Sequence, residues 1–162
     1  MNIINHELVN LINGAKEKPS WKIYNAYENE FINKLETRND EEIKEFLLKR
    51  FSKEDFLEIS IIYELITHKR ISLLEQLHQN DYPMTYEEWD GGNALHVSCV
   101  IDGSLDAVKF LMENNICVDI NKKTLKNETP LSLARHYKHK DILEYFKAVY
   151  SKNGSVASVN KV

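Results

Sequence analysis

Gly92-Asn93-Ala94-Leu95-His96 and Glu128-Thr129-Pro130-Leu131-Ser132 open two copies of one pattern, with Leu95 and Leu131 set 36 positions apart. After each opening come a short apolar segment, a polar break and a second apolar segment. That second segment is Asp106-Ala107-Val108-Lys109-Phe110-Leu111 in one copy and Asp141-Ile142-Leu143-Glu144-Tyr145-Phe146 in the other. A period of this size, with two short helical patterns per unit, is the mark of a stacked-helix repeat. Each unit buries its apolar face only against its neighbours, and the stack presents extended surfaces for binding.

The periodicity continues upstream in worn form. Leu73-Leu74-Glu75-Gln76-Leu77 precedes Ala107-Val108-Lys109-Phe110-Leu111 by 34 positions, and Ile43, Phe46 and Leu47 sit about one unit earlier on an i, i+3, i+4 stripe. Phe56, Ile59, Ile62, Tyr63 and Ile66 form a further helical stripe, with Ser52 or Asp55 available as its cap. Tyr24, Tyr27, Phe31 and Leu35 predict a helix after Pro19-Ser20, capped by Ser20. Ile4, Leu8, Leu11 and Ile12 predict a first helix ending near Gly14, and the Ser- and Asn-rich stretch 151–162 is expected to be a flexible tail. The whole predicts eight or nine short antiparallel helices, each too short to stand alone, and no sheet of consequence.

The openings have a physical logic. A Thr129 hydroxyl can accept from a free first-turn N–H, and Pro130 at the first helical position gives up no helical hydrogen bond. Leu131, Leu133 and Ala134 then turn inward, and the small Ala134 lets neighbouring helices approach. In the earlier copy Asn93 supplies the cap and Ala94 stands where the other copy has proline.

With these residues in view the chain resembles ankyrin repeats. Asn93-Ala94-Leu95-His96 and Thr129-Pro130-Leu131-Ser132 match the Thr-Pro-Leu-His opening of that family. Ser98-Cys99 and Ala134-Arg135 match its small-residue pair, Gly103-Ser104 and Lys138-His139 its Gly-His break, and Val118-Asp119 its finger base. Departures are one extra residue between His96 and Gly103, about two extra between Asp119 and Pro130, Ser132 for the motif His, and Asn115 for a Gly. The resemblance implies an all-α, ankyrin-like α-solenoid of stacked antiparallel helix pairs with a helical N-terminal cap. The expected division is a cap or degenerate repeats over 1–54, ankyrin-like repeats over 55–150 and the tail over 151–162, in one continuous structural domain.

Composition narrows the functional classes. A 162-residue chain suits one domain and buries roughly 68–70% of its unfolded surface, enough for a core without staples. The net charge of −4 argues against a nucleic-acid binder, which carries a basic stripe, and suits a basic protein partner. Cys99 and Cys117 form no disulfide framework and no ligand spacing, so both are expected as reduced thiols in the cytoplasm. Met1 to Lys18 lacks a basic start followed by an uninterrupted apolar core and is not expected to be a signal peptide, and no apolar run approaches ~20 residues. A monomer is expected in the absence of a partner.

No catalytic constellation, cofactor motif or metal set emerges. The family resemblance gives His96 a structural role, tying the repeat opening to neighbouring backbone. His136 and His139 share an i, i+3 spacing without a third ligand, and Cys99 reads as a small buried residue. Glu41-Glu42 and Glu87-Glu88 are adjacent carboxylates that diverge on a helix. Trp21, Tyr24 and Tyr27 are expected as core or cap residues.

The stretch Tyr82 to Gly92 falls on a finger-like connection of the kind through which ankyrin proteins contact partners. Tyr86 and Trp89 are candidate anchors there, with Glu87, Glu88 and Asp90 as guiding acids. Lys123 and Lys126 belong to a basic second finger, and Arg135, His136 and Tyr137 end a helix that borders the same face in the family. The expected function is non-enzymatic protein binding, in its favoured form a small inhibitor or immunity-type protein that masks a toxin or enzyme. A scaffold or host-directed effector is the second expectation. An enzyme using N-terminal side chains such as His6, Glu28, Glu30 and His68 is the third.

Overall fold

The computed structural model describes residues 19–152. Its elements in chain order are α1 (Pro19–Thr37), α2 (Asp40–Arg50), a 3-10 turn at Glu54–Leu57, α3 (Ile61–Thr67), α4 (Ile71–Gln79), α5 (Ala94–Ser98), α6 (Leu105–Glu113), α7 (Pro130–His136) and α8 (Lys140–Lys152). The helix expected around Ile4 to Ile12 and residues 153–162 lie outside the described residues. Among the described residues there is no sheet, only an antiparallel bridge between Glu87 and Asn93. No helix among them is long and apolar enough to cross a membrane.

The helices form two rows. In one row α3 packs on α5 and α5 on α7; in the other α2 packs on α4, α4 on α6 and α6 on α8. Cross-contacts join α1 to α2, α3 to α4, α5 to α6 and α7 to α8. The apolar stripes supply the glue between rows. Leu73, Leu74 and Leu77 of α4, Val108 and Leu111 of α6, and Ile142 and Phe146 of α8 are all buried.

Backbone dihedrals reveal the repeat more clearly than side chains do. Lys69, Gly103 and Lys138 take positive φ (57°, 67° and 60°) at the break between the two helices of each unit. Asp81 and Asn115 repeat the feature, at 60° each, just after the outer helices. Three successive units therefore turn at the same break, and two of them also at the end of the outer helix, although only Gly103 is the residue that enters the left-handed region without strain.

Helix starts follow the expected chemistry in the later units. The Thr129 hydroxyl accepts from Ser132 N at 3.0 Å while Ser132 Oγ accepts from Thr129 N at 2.8 Å, with Pro130 at the helix start. Asn93 Oδ1 accepts from Leu95 N and His96 N at 3.1 and 3.3 Å. Asn39 caps α2 in the same way, accepting from Glu42 N at 3.0 Å. Acids in its first turn (Asp40, Glu41, Glu42) and bases in its last (Lys49, Arg50) complement the helix dipole.

The N-terminal half departs from expectation in two places. α1 is 19 residues long, beyond the marginal-length range, and it begins at Pro19, which puts Ser20 inside its first turn. The stripe from Phe56 to Ile66 is two elements instead of one. Ser52 N and Oγ donate to Asp55 Oδ2 at 2.7 and 3.0 Å, and both Glu58 N and Ile59 N return to Asp55 O, closing a turn before α3 begins. Phe56 and Ile59 are buried all the same. At the other end α8 runs to Lys152, two residues past the boundary expected for the tail.

Arg70 joins α1 and α2 to the first unit. Its guanidinium donates to Leu35 O (3.2 Å from Nε), Arg38 O (2.9 Å) and Asp40 Oδ1 (3.3 Å). The carbonyls at the end of α1, which have no partner inside the helix, thus find one 32 to 35 residues downstream. Stacked Phe31 and Phe46 rings, 6.1 Å apart, close the α1–α2 contact.

Candidate protein-binding site

Between α4 and α5 the chain runs out as a finger and returns. Its side chains sort by parity, as in any extended segment. Met84 and Tyr86 are buried and Tyr82 is partly buried against Phe56, with ring centroids 4.9 Å apart. Thr85, Glu87 and Trp89 are exposed. Tyr86, expected as a surface anchor, is therefore a core residue at 8% exposure, its ring edge-on to Tyr63 at 5.2 Å. Burial raises its phenol pKa, and Glu88 beside it adds to the effect.

Trp89 remains outside at 52% exposure, on a tight turn. Glu88 N donates to Gly92 O at 2.8 Å, and Gly91 N to Glu88 O at 2.9 Å. Gly91 has φ of 85°, which a side chain would strain. Asp90 Oδ1 accepts from Gly92 N at 2.9 Å, a local side-chain turn that fixes the apex.

The second finger, between α6 and α7, repeats this turn 36 positions later. Thr124 N donates to Glu128 O at 2.9 Å and Asn127 N to Thr124 O at 2.9 Å, with Asn127 at φ 59°. The buried Thr124 hydroxyl also accepts from Lys126 N and Glu128 N at 3.2 and 3.3 Å. Leu125 then stands where Trp89 stands in the first finger, and it is 74% exposed. The two extra residues of this finger precede the turn: Asp81 to Glu88 is seven positions, Asn115 to Thr124 nine.

The fingers are joined to each other and to the helices behind them. Leu125 N donates to Asp90 O at 2.8 Å. Glu87 pairs with Lys122. His96 Nε2 donates to Lys122 O at 2.9 Å while Nδ1 accepts from Asn93 N at 3.2 Å, which fixes the neutral tautomer. Tyr63 holds the first finger similarly, its hydroxyl 3.0 Å from Tyr86 O and 2.9 Å from Gly92 O. Neither Tyr63 nor Leu125 is among the residues that the sequence reading assigned to this surface. For Leu125 the available signal was its spacing of 36 from Trp89.

The structure thus brings Glu87, Glu88, Trp89, Asp90, Lys123 and Lys126 together on two linked fingers. It does not bring Arg135, His136 and Tyr137 to them. These close the far end of α7, a seven-residue helix whose first turn follows the finger, so about 10 Å of helix separates the groups. Tyr137 and His136 are exposed, with rings edge-on at 5.0 Å, while Arg135 is half-buried. His139 Nε2 lies 3.2 Å from Val100 O, a link to the preceding unit.

Reactive chemistry has little to work with among the described residues. Burial pushes the Cys99 thiol up to about 12 and raises that of Cys117, the reverse of an activated nucleophile. No group of three or more His, Cys, Asp or Glu side chains there is arranged to hold a metal ion.

The chain is 55% identical over 76 residues to a protein of Rickettsia bellii (strain RML369-C) described as a putative ankyrin repeat protein. That match covers 46% of this chain and 63% of the relative, so the chain spans less than two thirds of the relative's length. No solved structure matches. The family model for ankyrin repeats matches in three copies across residues 60–155, more than half of the chain. Paired helices in two rows, fingers tied across repeats and this match together place the chain in the ankyrin-repeat family.

Proposed function

We propose that this chain is a non-enzymatic, cytoplasmic binding module whose finger turns hold one protein partner. Trp89 carries the reading. It is half exposed on a turn locked by two backbone hydrogen bonds and joined to the next finger through Asp90 O. A backbone turn fixed before binding loses little conformational freedom on contact, and large aromatics such as the Trp89 indole dominate interface energies.

In its finer form the module is an inhibitor or immunity-type protein that masks a toxin or enzyme. Mild acidity and a surface rigid without its partner support one-to-one masking. The net charge of −4 favours the approach of a basic protein, while contact itself depends on the local charges around the fingers.

Capture from the source cells with the wild-type chain and with Trp89→Ala tests the binding role. One stoichiometric partner held by wild type and lost by the variant is the expected result; identical captured sets would remove the finger from the function. Assaying that partner with and without the chain then separates masking, which silences it, from recruitment, which leaves its activity unchanged.

A further inference from the structure

We infer that the finger turns select a protein segment bearing two apolar side chains about one repeat apart, with carboxylates flanking the second. The inference rests on the binding role proposed above and specifies the partner's chemistry. Trp89 and Leu125 occupy the same position of the same turn in successive repeats, and both are exposed, at 52% and 74%. Packed helices lie about 8–10 Å apart, so the two apolar apexes are separated by roughly that distance. A polyproline-like segment meets it with residues three apart, at about 3.1 Å per residue. A helix meets it with residues seven apart, at about 1.5 Å per residue.

Charge sets the polarity. The carboxylates around Trp89 are already engaged within the protein: Glu87 with Lys122, Glu88 with Tyr86, and Asp90 with Gly92 N. Around Leu125 the pattern reverses. Lys123 and Lys126 are exposed on either side of it and take part in no ion pair among the described residues. The acids of this finger are Asp119, whose carboxylate accepts from Asn121 N, and Glu128, whose backbone carbonyl closes the turn from its far end. An ammonium with no internal partner gains most from a carboxylate arriving beside an apolar contact, where water is displaced. The partner segment is therefore apolar and acidic at the contact, whatever its overall charge.

A phage-displayed library of random 12-residue peptides, panned on the immobilised 162-residue chain, tests this. The expected enrichment is for pairs of large apolar residues three or seven positions apart with Asp or Glu near one of them. Leu125→Ala and the double variant Lys123→Glu/Lys126→Glu should each weaken a selected peptide by about tenfold or more. All three positions are exposed, so the variants should keep the wild-type circular dichroism and melting curve. Selected peptides that are basic, or indifferent to Lys123→Glu/Lys126→Glu but weakened by Trp89→Ala, would overturn the acidic specificity and leave the binding role standing. Peptides indifferent to every finger variant, or no enrichment over a bare surface, would overturn both.

Discussion

Tyr63 does for the first repeat what His96 does for the second. The two lie 33 positions apart, and each reaches forward from its inner helix to backbone carbonyls of the following finger: Tyr63 to Tyr86 O and Gly92 O, His96 to Lys122 O. A phenol and an imidazole share no sequence signature, yet both extend a donor on a flat ring over a similar reach. Tyr63→Phe keeps the ring and leaves two buried carbonyls without this donor. It should destabilise the protein by about 1–3 kcal/mol with helicity unchanged. Urea denaturation checks this, and an unchanged midpoint would mean that the hydroxyl contributes nothing.

Within the first finger, residues three apart should respond in opposite ways. Tyr86→Ala removes a buried ring from the Tyr63 contact and should cost about 3–5 kcal/mol, as large aromatic truncations in cores do. Trp89→Ala removes a half-exposed ring and should stay within about 0.5 kcal/mol while abolishing partner capture. Thermal melts on both variants decide the matter. Unfolding of Trp89→Ala would place its ring in the core and take the proposed anchor with it.

That pair also shows how far the sequence could be read. The period of 36, the Asn93 and Thr129 caps and the burial of Leu95 and Leu131 were legible because helix packing repeats at fixed spacing and capping chemistry is local. The finger was not legible in the same way, since an aromatic-rich loop says nothing about which rings turn inward. Alternation of Met84 and Tyr86 against Thr85, Glu87 and Trp89 carried that information, but only once the segment was known to be extended. The single helix expected from Phe56 to Ile66 failed for a related reason. Apolar spacing persists through a break made by Asp55, whose carbonyl and carboxylate close the turn without disturbing the stripe.

The acid response should carry the signature of His96. Burial holds its pKa below the ordinary 6.5, the bond to Lys122 O opposing in part. A protonated ring could offer Nδ1–H to Asn93 Oδ1, 2.8 Å away, but would leave Asn93 N without its acceptor. Above 6.5 the ring is neutral in both folded and unfolded chains and its full contribution is present. Below it the unfolded chain takes up the proton first, and stability is lost as pH falls through the folded value. Glu64, whose carboxyl pKa burial raises from 4.5, works with the opposite sign. Urea midpoints from pH 8 to 5 should fall in wild type and fall less in His96→Gln; parallel curves would dissociate the histidine from the effect.

Left-handed lysines leave room for stabilisation. Lys138 sits at φ 60° in the position that Gly103 fills in the preceding repeat, and it is exposed. A side chain there costs about 1–2 kcal/mol, against which glycine brings a larger unfolded-state entropy of about 0.5–1 kcal/mol. Lys138→Gly should therefore raise stability by up to about 1.5 kcal/mol. The reverse change, Gly103→Ala, should lower it, because a Cβ there meets strain and stands 3.2 Å from Lys69 Nζ. A chevron series on both variants gives the sign directly, and loss of stability in Lys138→Gly would contradict the strain argument.

Arg70 links the first two helices to the repeats, so its removal should act on one end of the molecule. Its hydrogen bonds to Leu35 O and Arg38 O satisfy carbonyls at the end of α1 that the helix cannot satisfy internally, and its bond to Asp40 Oδ1 adds an ion pair at the start of α2. Arg70→Met keeps much of the apolar stem and removes every donor. Hydrogen bonds from a charged donor contribute about 1.5–3 kcal/mol each when gained and lost singly, and shared geometry makes three of them worth less than their sum. Native-state hydrogen exchange should show faster opening across α1 and α2, while α6 through α8 keep wild-type protection. A uniform loss across all helices would mean that the N-terminal pair and the repeats unfold as one cooperative unit. In that case Arg70 stabilises the whole stack, and its effect is not confined to the joint.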